Sequence, residues 1–298
     1  MNPTSKVYSF PSSLSSSIDG YNFLANLVTQ LLNEKYEVVF FDFSYCTYFE
    51  TNLCAVLGSA FHEANTINTK FYITNVDDEL KKRLKNNGFL QLSEGETVIK
   101  DAEQVSYSRF RINDEEAIMN YVEKELLSKE GLPILTFDLQ REIVRYVMEI
   151  YSNGITHGGC HYVYSCGQVI TRLNTNTSEL HFSLVDIGRT IKRNVNEYTK
   201  SDMSGYETIS WATTGFNTTK TEQSGGLGLK LLKEFIKNNR GSIQIISAEG
   251  FWQYSNQGVL SKNMDYSFPG TIINIVFNLK DNKLHYLDME MPAVSEIF

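Results

Sequence analysis

Apolar residues recur along this chain with two periods. Glu37 to Phe43 is a short apolar run, the pattern of a buried strand. From Thr51 to Thr66, Leu53, Val56, Leu57 and Phe61 fall at helical spacing. Lys70 to Thr74 repeats the strand pattern. Asp77 to Asn86 carries Leu80 and Leu84 four apart and reads as a charged helix ending near Gly88. Strand–helix–strand–helix order implies an α/β layer structure. Residues 113–129 place Ile118, Tyr121, Val122 and Leu126 on one side of an amphipathic helix, and Gly131-Leu132-Pro133 breaks it. The boundary between two units falls between 105 and 132.

The second half opens with a long helix, Leu139 to Asn153, whose buried stripe is Ile143, Val144, Val147, Ile150 and Tyr151. Two strand-like runs follow, 161–173 and 180–185, joined by Asn174-Thr175-Asn176-Thr177. Gly226 to Asn238 is a second helix with Leu229, Leu232 and Ile236 on one side. Ser242–Ser247 and Thr271–Leu279 are further strands. Helices on a largely antiparallel sheet make an α/β sandwich. Residues 189–224 carry few apolar anchors, the mark of a functional loop or lid.

Composition narrows the picture. A chain of 298 residues fits two domains, and 42% hydrophobic with 21% charged residues marks cored units rather than disorder. A net charge of -8 argues against a dedicated DNA or RNA binder. Between Arg189 and Arg240, however, nine Lys/Arg face five Asp/Glu, so a small anion could bind there. Four cysteines do not make a disulfide framework at this length. The Ser-rich start lacks the apolar core of a signal peptide, and no 18-residue apolar run exists. The expectation is a soluble cytoplasmic protein with no membrane contact.

Four blocks carry chemistry, in chain order. Glu149-x-x-x-Asn153-x-x-x-His157 puts a carboxylate, a carboxamide and an imidazole on one helix stripe. Asp186-Ile187-Gly188-Arg189-Thr190 ends a strand. Gly225-Gly226-Leu227-Gly228-Leu229-Lys230 opens a helix, and Gly270-Thr271 opens the last long strand. An aspartate at a strand end is able to accept from an exocyclic amine, and Gly188 allows close backbone approach to a base. A glycine-rich turn at a helix N-terminus offers N–H groups to phosphate. Asn153 offers a neutral oxygen to Mg²⁺. Glu149, one turn away, is placed to take a proton.

Together these blocks resemble the GHKL superfamily (gyrase, MutL, ninety-kilodalton chaperones, histidine kinases, anti-sigma-factor kinases), whose ATP-binding domain is the Bergerat fold. The likeness spans about residues 133–280. It implies Glu149 as catalytic base, Asn153 as Mg²⁺ ligand, and Asp186 and Gly188 as the adenine box. It further implies His157, Thr190, Gly226, Leu227 and Gly228 around ATP, and Thr271 supporting adenine through water. The segment 189–224 would be the ATP lid, with Thr218, Thr219 and Lys220 near phosphate. Thr190 and Ser224 depart from the family's glycines.

The first half resembles an STAS domain, the fold of anti-sigma-factor antagonists. Asp42-Phe43-Ser44 ends its strand, Phe49-Glu50-Thr51-Asn52-Leu53 opens its helix, and Asn87-Gly88-Phe89-Leu90 closes its last one. Asn52 stands where that family has its phosphorylated serine. Thr51, next to it, is a possible acceptor or a helix N-cap. The resulting division is an STAS-like domain over 1–110, a connecting helix over 111–131 and a GHKL domain over 132–298.

The His157-Gly158 ending, the size and the STAS-like neighbour look most like anti-sigma-factor serine kinases. A histidine-kinase reading would need Phe61-His62-Glu63 on a phosphoacceptor helix, but His62 falls inside the STAS-like one. A motor reading lacks a transducer after Leu279. A zinc site at His157, Cys160, His161 and Cys166 has unsuitable spacing. The expected function is Mg²⁺-ATP binding with phosphoryl transfer to a regulatory partner, such as a sigma factor or STAS protein, or ATP hydrolysis, with a homodimer possible. The alternative is a nucleotide-gated interaction module without catalysis.

Overall fold

In the computed structural model, residues 5–64, 69–90, 101–214 and 227–287 are described, without the side chains of 227–231. The protein is mixed α/β. Strand β1 (Ser5–Ser9) and the two-residue β2 (Ser13–Leu14) precede helix α1 (Ile18–Asn33). Then come β3 (Val38–Asp42), β4 (Tyr48–Phe49), a 3₁₀ turn over Thr51–Leu53, α2 (Cys54–Ala64), β5 (Lys70–Thr74) and α3 (Asp78–Asn86). Strands β1, β3 and β5 form a parallel sheet with β3 in the centre.

Helix α1 went unread in the sequence, although its signal is there. Tyr21, Leu24, Ala25 and Val28 fall at i, i+3, i+4 and i+7 and are all buried. Ser17 caps it, its hydroxyl accepting from the Gly20 N–H at 3.2 Å. The Ser-rich stretch before it hid the start.

The second part begins with β6 (Gln104–Arg111), α4 (Glu115–Tyr121) running into a π-helical turn (Val122–Leu126), and β7 (Ile134–Leu135). Next are α5 (Phe137–Thr156), β8 (Tyr162–Arg172), β9 (Thr177–Ile187), α6 (Ile191–Thr199), α7 (Gly205–Thr213) and α8 (Leu227–Asn239). The chain continues through β10 (Ser242–Ser255), β11 (Gly258–Asn278) and β12 (Leu284–His285). Strands β10-β11-β9-β8-β6, in that spatial order, form one antiparallel sheet.

Two stretches of strand also differ from the sequence expectation. Residues 104–111, read as the end of the first unit, are the edge strand of the second sheet. Their register shifts between Val105 and Ser108, which breaks the two-residue alternation that would have shown a strand. The hairpin β10–β11 also runs far beyond the expected 242–247 and 271–279. Glu249-Gly250 and Pro269-Gly270 resemble turns in sequence, yet the ladder continues past them through shifts at Ala248 and Gly250.

Alternation along the strands gives the five-stranded sheet two apolar faces. One face, with Val163, Leu180, Phe182, Leu184, Ile245, Ile275 and Phe277, packs on Ile143, Val147 and Tyr151 of α5 and Leu232 and Ile236 of α8. The other face, with Tyr164, Val185, Ile246, Phe268 and Ile272, shares a single core with Leu24 and Val28 of α1, Val56 and Ala60 of α2, and Val39 and Phe41 of β3. The layers therefore run parallel sheet, α1/α2, antiparallel sheet, α5/α8.

A row of polar side chains crosses the buried contact between the two parts. Cys166, Ser183, Asn274 and Gln244 are register neighbours on β8, β9, β11 and β10. Ser183 Oγ donates to Asn274 Oδ1 (3.1 Å), and Asn274 Nδ2 donates to Gln244 Oε1 (2.9 Å). From the first part, Asn52 Nδ2 donates to Ser183 Oγ (3.0 Å) and Ser16 Oγ (2.8 Å), and Tyr21 Oη donates to Gln244 Oε1 (3.0 Å). Thr51 Oγ1 donates to Gln104 Oε1 at 2.6 Å, so it does not cap the helix as the sequence suggested. A net hydrogen bond is worth ~1 kcal/mol, whereas burying one large apolar side chain is worth ~1.5–3 kcal/mol. Apolar burial therefore holds the layers together, and the polar row fixes their register.

Candidate functional site

Helix α5 carries the first group of expected site residues. Thr136 caps its start, and at its end the N–H groups of His157 and Gly158 both reach the Asn153 carbonyl, at 2.9 and 3.0 Å. That end lies against one row of the sheet. Val163, Asp186, Thr271 and Ser247 are register neighbours on β8, β9, β11 and β10, and they share the α5 face.

Asp186 is the centre of this region. It is 9% exposed, and its Oδ1 is buried with no hydrogen-bond partner among the described residues. Burial pushes its carboxyl up to about 7, against a hydrogen bond from the Thr271 backbone that pulls it down. Glycines at positions 154 and 158 let the end of α5 approach it closely. A Cβ on Gly158 would lie 3.1 Å from Asp186 Oδ1, and one on Gly154 would lie 3.4 Å from Oδ2. Asn153 Oδ1, one residue before Gly154, is also buried without a partner among the described residues. Two acceptor oxygens without donors at one sheet end are an unmet demand for ligand donors or a cation.

The rest of the expected set is placed as follows. Gly188 donates its N–H to Pro269 O (3.1 Å), and a Cβ there would sit 2.4 Å from Gly158 O. Arg189 N–H reaches the same Gly158 carbonyl at 2.7 Å, so the β9 end is strapped to the α5 end. His157 anchors the neighbouring helix through its own carbonyl, which accepts from Asn194 Nδ2 (3.0 Å). Thr271 is half-buried, with its Oγ1 3.3 Å from Ser247 Oγ. Glu149 is half-buried one turn before Asn153, and its side chain forms no hydrogen bond or ion pair with a described residue.

Thr190 plays a different part from the one expected. Its hydroxyl accepts from the Arg193 N–H at 3.2 Å and caps α6. A glycine would make a weaker cap, so a threonine suits a chain that enters a helix at once. The irregular lid expected over 189–224 is likewise corrected as far as Thr214: it holds α6 and α7, packed on β10. Ser204 and Glu207 form a capping box, a Ser-x-x-Glu signal legible in sequence. Gly205 meets Gly250 so closely that a Cβ on either would fall 2.4 Å from the other's backbone. Thr218, Thr219, Lys220 and Gly226 lie outside the described residues, while Leu227 and Gly228 open α8.

Two contributors were missed. Ser247 Oγ accepts from the Ile191 N–H (2.9 Å) and donates to Gly270 O (2.7 Å), tying α6 to the strand beside Thr271. Asn194 holds the α5 end. Neither belongs to a spacing motif, so only the fold reveals them.

The cysteine–histidine cluster does not form a metal centre. Cys166 faces the first part, with its thiol on Thr51 O at 3.2 Å, while burial, followed by the charge of Asp186, pushes the Cys160 thiol up to about 12. Among the described residues no three His, Cys, Asp or Glu side chains converge as metal ligands, and no helix is long and apolar enough to cross a membrane.

Gly188→Ala is expected to lower stability by roughly 1–3 kcal/mol, because the neighbour at 2.4 Å is backbone and cannot swing away. Urea denaturation measures this, and a loss below about 0.5 kcal/mol would contradict the close strap. Compared with known protein families, curated proteins and solved structures, the chain finds no match.

Proposed function

We propose that this chain is a Mg²⁺-ATP-binding regulatory protein of the GHKL type, a Bergerat-like domain joined to an STAS-like one, that transfers phosphoryl to a partner protein. The observation that carries this reading is Asp186: a buried carboxylate with one oxygen unpartnered among the described residues, set closely against the glycines at 154 and 158. An exocyclic amine, such as the N6 amine of adenine, is the kind of donor such an oxygen lacks. Asn153, with its own unpartnered oxygen, fits a hard cation shared with phosphate oxygens. Bound Mg²⁺ would neutralise phosphate charge. Glu149, one turn earlier, is placed to accept the proton of an attacking hydroxyl or water. Gly188 and Arg189, strapped to Gly158, hold the base-binding end rigid.

The partner belongs outside this chain. Thr51 and Asn52 are fully buried against the five-stranded sheet, so the STAS-like unit does not present that turn as a substrate. The same docking favours the second reading, a nucleotide-gated interaction module, because the first unit rests directly on the strands that carry Asp186 and Thr271.

Purified protein with γ-labelled ATP and Mg²⁺ separates the readings. Labelled phosphate or a labelled partner protein, reduced roughly 10²–10⁴-fold in Glu149→Ala, is expected of the enzyme. Tight ATP binding with no turnover selects the module, and absence of ATP binding removes both.

A further inference from the structure

Strand β6, the edge of the five-stranded sheet, carries a cluster that the nucleotide reading does not use. Arg109 and Arg111 are exposed and lie two residues apart on it. Their guanidinium carbons sit 4.7 and 5.5 Å from the ring centroid of Tyr162 on neighbouring β8. His62, from α2, meets the same ring edge-on at 4.5 Å, and its Nδ1 lies 2.7 Å from Tyr164 Oη. Three nitrogen-bearing side chains from two elements thus gather on one aromatic ring. Packing on an aromatic face restrains a guanidinium and leaves its N–H edge free to donate.

The charge balance points to what those edges take. The chain holds 35 acidic residues against 27 basic ones, yet neither arginine forms an ion pair with a described residue. The nearby carboxylate, Glu63, accepts from Tyr164 Oη at 3.0 Å and lies 3.6 Å from His62 Nδ1. Burial, then the Arg109 charge, holds the His62 imidazole below its ordinary range, with Glu63 opposing. The ring therefore sits in a locally positive field that a bound anion would relieve.

The cluster is separate from the candidate nucleotide site. Tyr162 packs toward the first part of the chain, whereas Val163, the next residue, shares its face with Asp186 and α5. Successive residues of a strand point to opposite faces.

We propose that Arg109, Arg111 and His62 form an anion site for the phosphate class, filled by free phosphate or by a phosphorylated side chain, on the sheet face opposite Asp186. Two arginines at alternate strand positions lie ~7 Å apart at Cα, within reach of one tetrahedral group.

The test follows the five histidine ring signals by ¹H–¹³C NMR while inorganic phosphate, and separately O-phosphoserine, is added at constant pH and ionic strength. One ring signal, assigned through His62→Gln, is expected to shift saturably toward its protonated position. Arg109→Gln/Arg111→Gln weakens the apparent affinity at least about tenfold, while Asp186→Ala leaves it unchanged. Should the double variant unfold, Arg111→Lys keeps the charge but not the planar fork, and a several-fold loss is expected. Tighter O-phosphoserine binding identifies a phosphorylated chain as the ligand, and equal or tighter inorganic phosphate identifies the free ion. Absence of a saturable shift, or a shift that survives the arginine substitutions at full strength, overturns the site. Because Asp186→Ala is tested in parallel, failure of the ATP reading leaves this result intact.

Discussion

At pH 8, Asp186→Asn is expected to raise folding stability by up to roughly 3 kcal/mol while removing measurable adenosine binding. The Asp186 carboxyl, pushed up by burial to about 7 in the folded protein, starts from an ordinary value of 3.8. The folded state thus binds the proton more tightly than the unfolded chain. Its stabilising effect is fully present below pH 4, falls as pH rises between about 4 and 7, and is gone above 7. Above pH 7 the fold carries a buried charge that costs roughly 3–4 kcal/mol, and the asparagine removes that charge. At pH 5 the folded carboxyl is protonated but the unfolded one is already ionised, so the advantage of the asparagine there should be smaller, roughly 1–2 kcal/mol, and should vanish only below about pH 3. Adenosine, which has no phosphate to titrate, is the right probe of the other half. Its amine needs the ionised carboxylate, so wild-type affinity should fall about tenfold per pH unit below 7. Urea denaturation at pH 5 and 8, with adenosine titrations at both, reads all of this. Equal destabilisation by Asp186→Asn at both pH values would show that the carboxylate is a structural hydrogen-bonding group instead.

The candidate site was only partly legible in the sequence. Glu149, Asn153 and His157 share a stripe because helical spacing is local, and Asp186-x-Gly188 ends a strand because the apolar run before it is local. The glycines at 154 and 158 are legible too, but their purpose is not: only the fold brings Asp186 to them. Thr190 shows the reverse case. As a motif position it reads as a ligand contact, yet the short helix behind it turns the same hydroxyl into a cap. Strand β6 and the far half of the β10–β11 hairpin were hidden by bulges, which shift the two-residue period that sequence reading depends on. The docking of the first part on the sheet was not legible at all. Cys166, Ser183, Asn274 and Gln244 are far apart in sequence and become a row only through strand register.

That row gives the second large effect: Asn52→Asp is expected to destabilise the whole protein by roughly 3–5 kcal/mol. Asn52 is fully buried, and its amide donates to both Ser16 Oγ and Ser183 Oγ, while its Oδ1 has no partner among the described residues. A carboxylate there loses both donations and places a charge between layers with no cation in the row to pair it. Asn52→Ser keeps one hydroxyl in place and should cost only about 1–2 kcal/mol. It should also stay unphosphorylated in the folded protein, because the position is closed by the sheet. Since α1 and α2 share one core with Tyr164, Val185 and Ile272, the two parts should unfold in one transition, and Asn52→Asp should move that transition as a unit. Tryptophan fluorescence reports the sheet through buried Trp252, and far-ultraviolet circular dichroism reports both parts. Coincident curves in the wild type, shifted together in Asn52→Asp, are the expected result. If the dichroism alone moved, leaving the fluorescence transition in place, the first unit would be an independent domain resting on the sheet. A signal passed between Asp186 and the first part of the chain would then need a linker rather than a shared core.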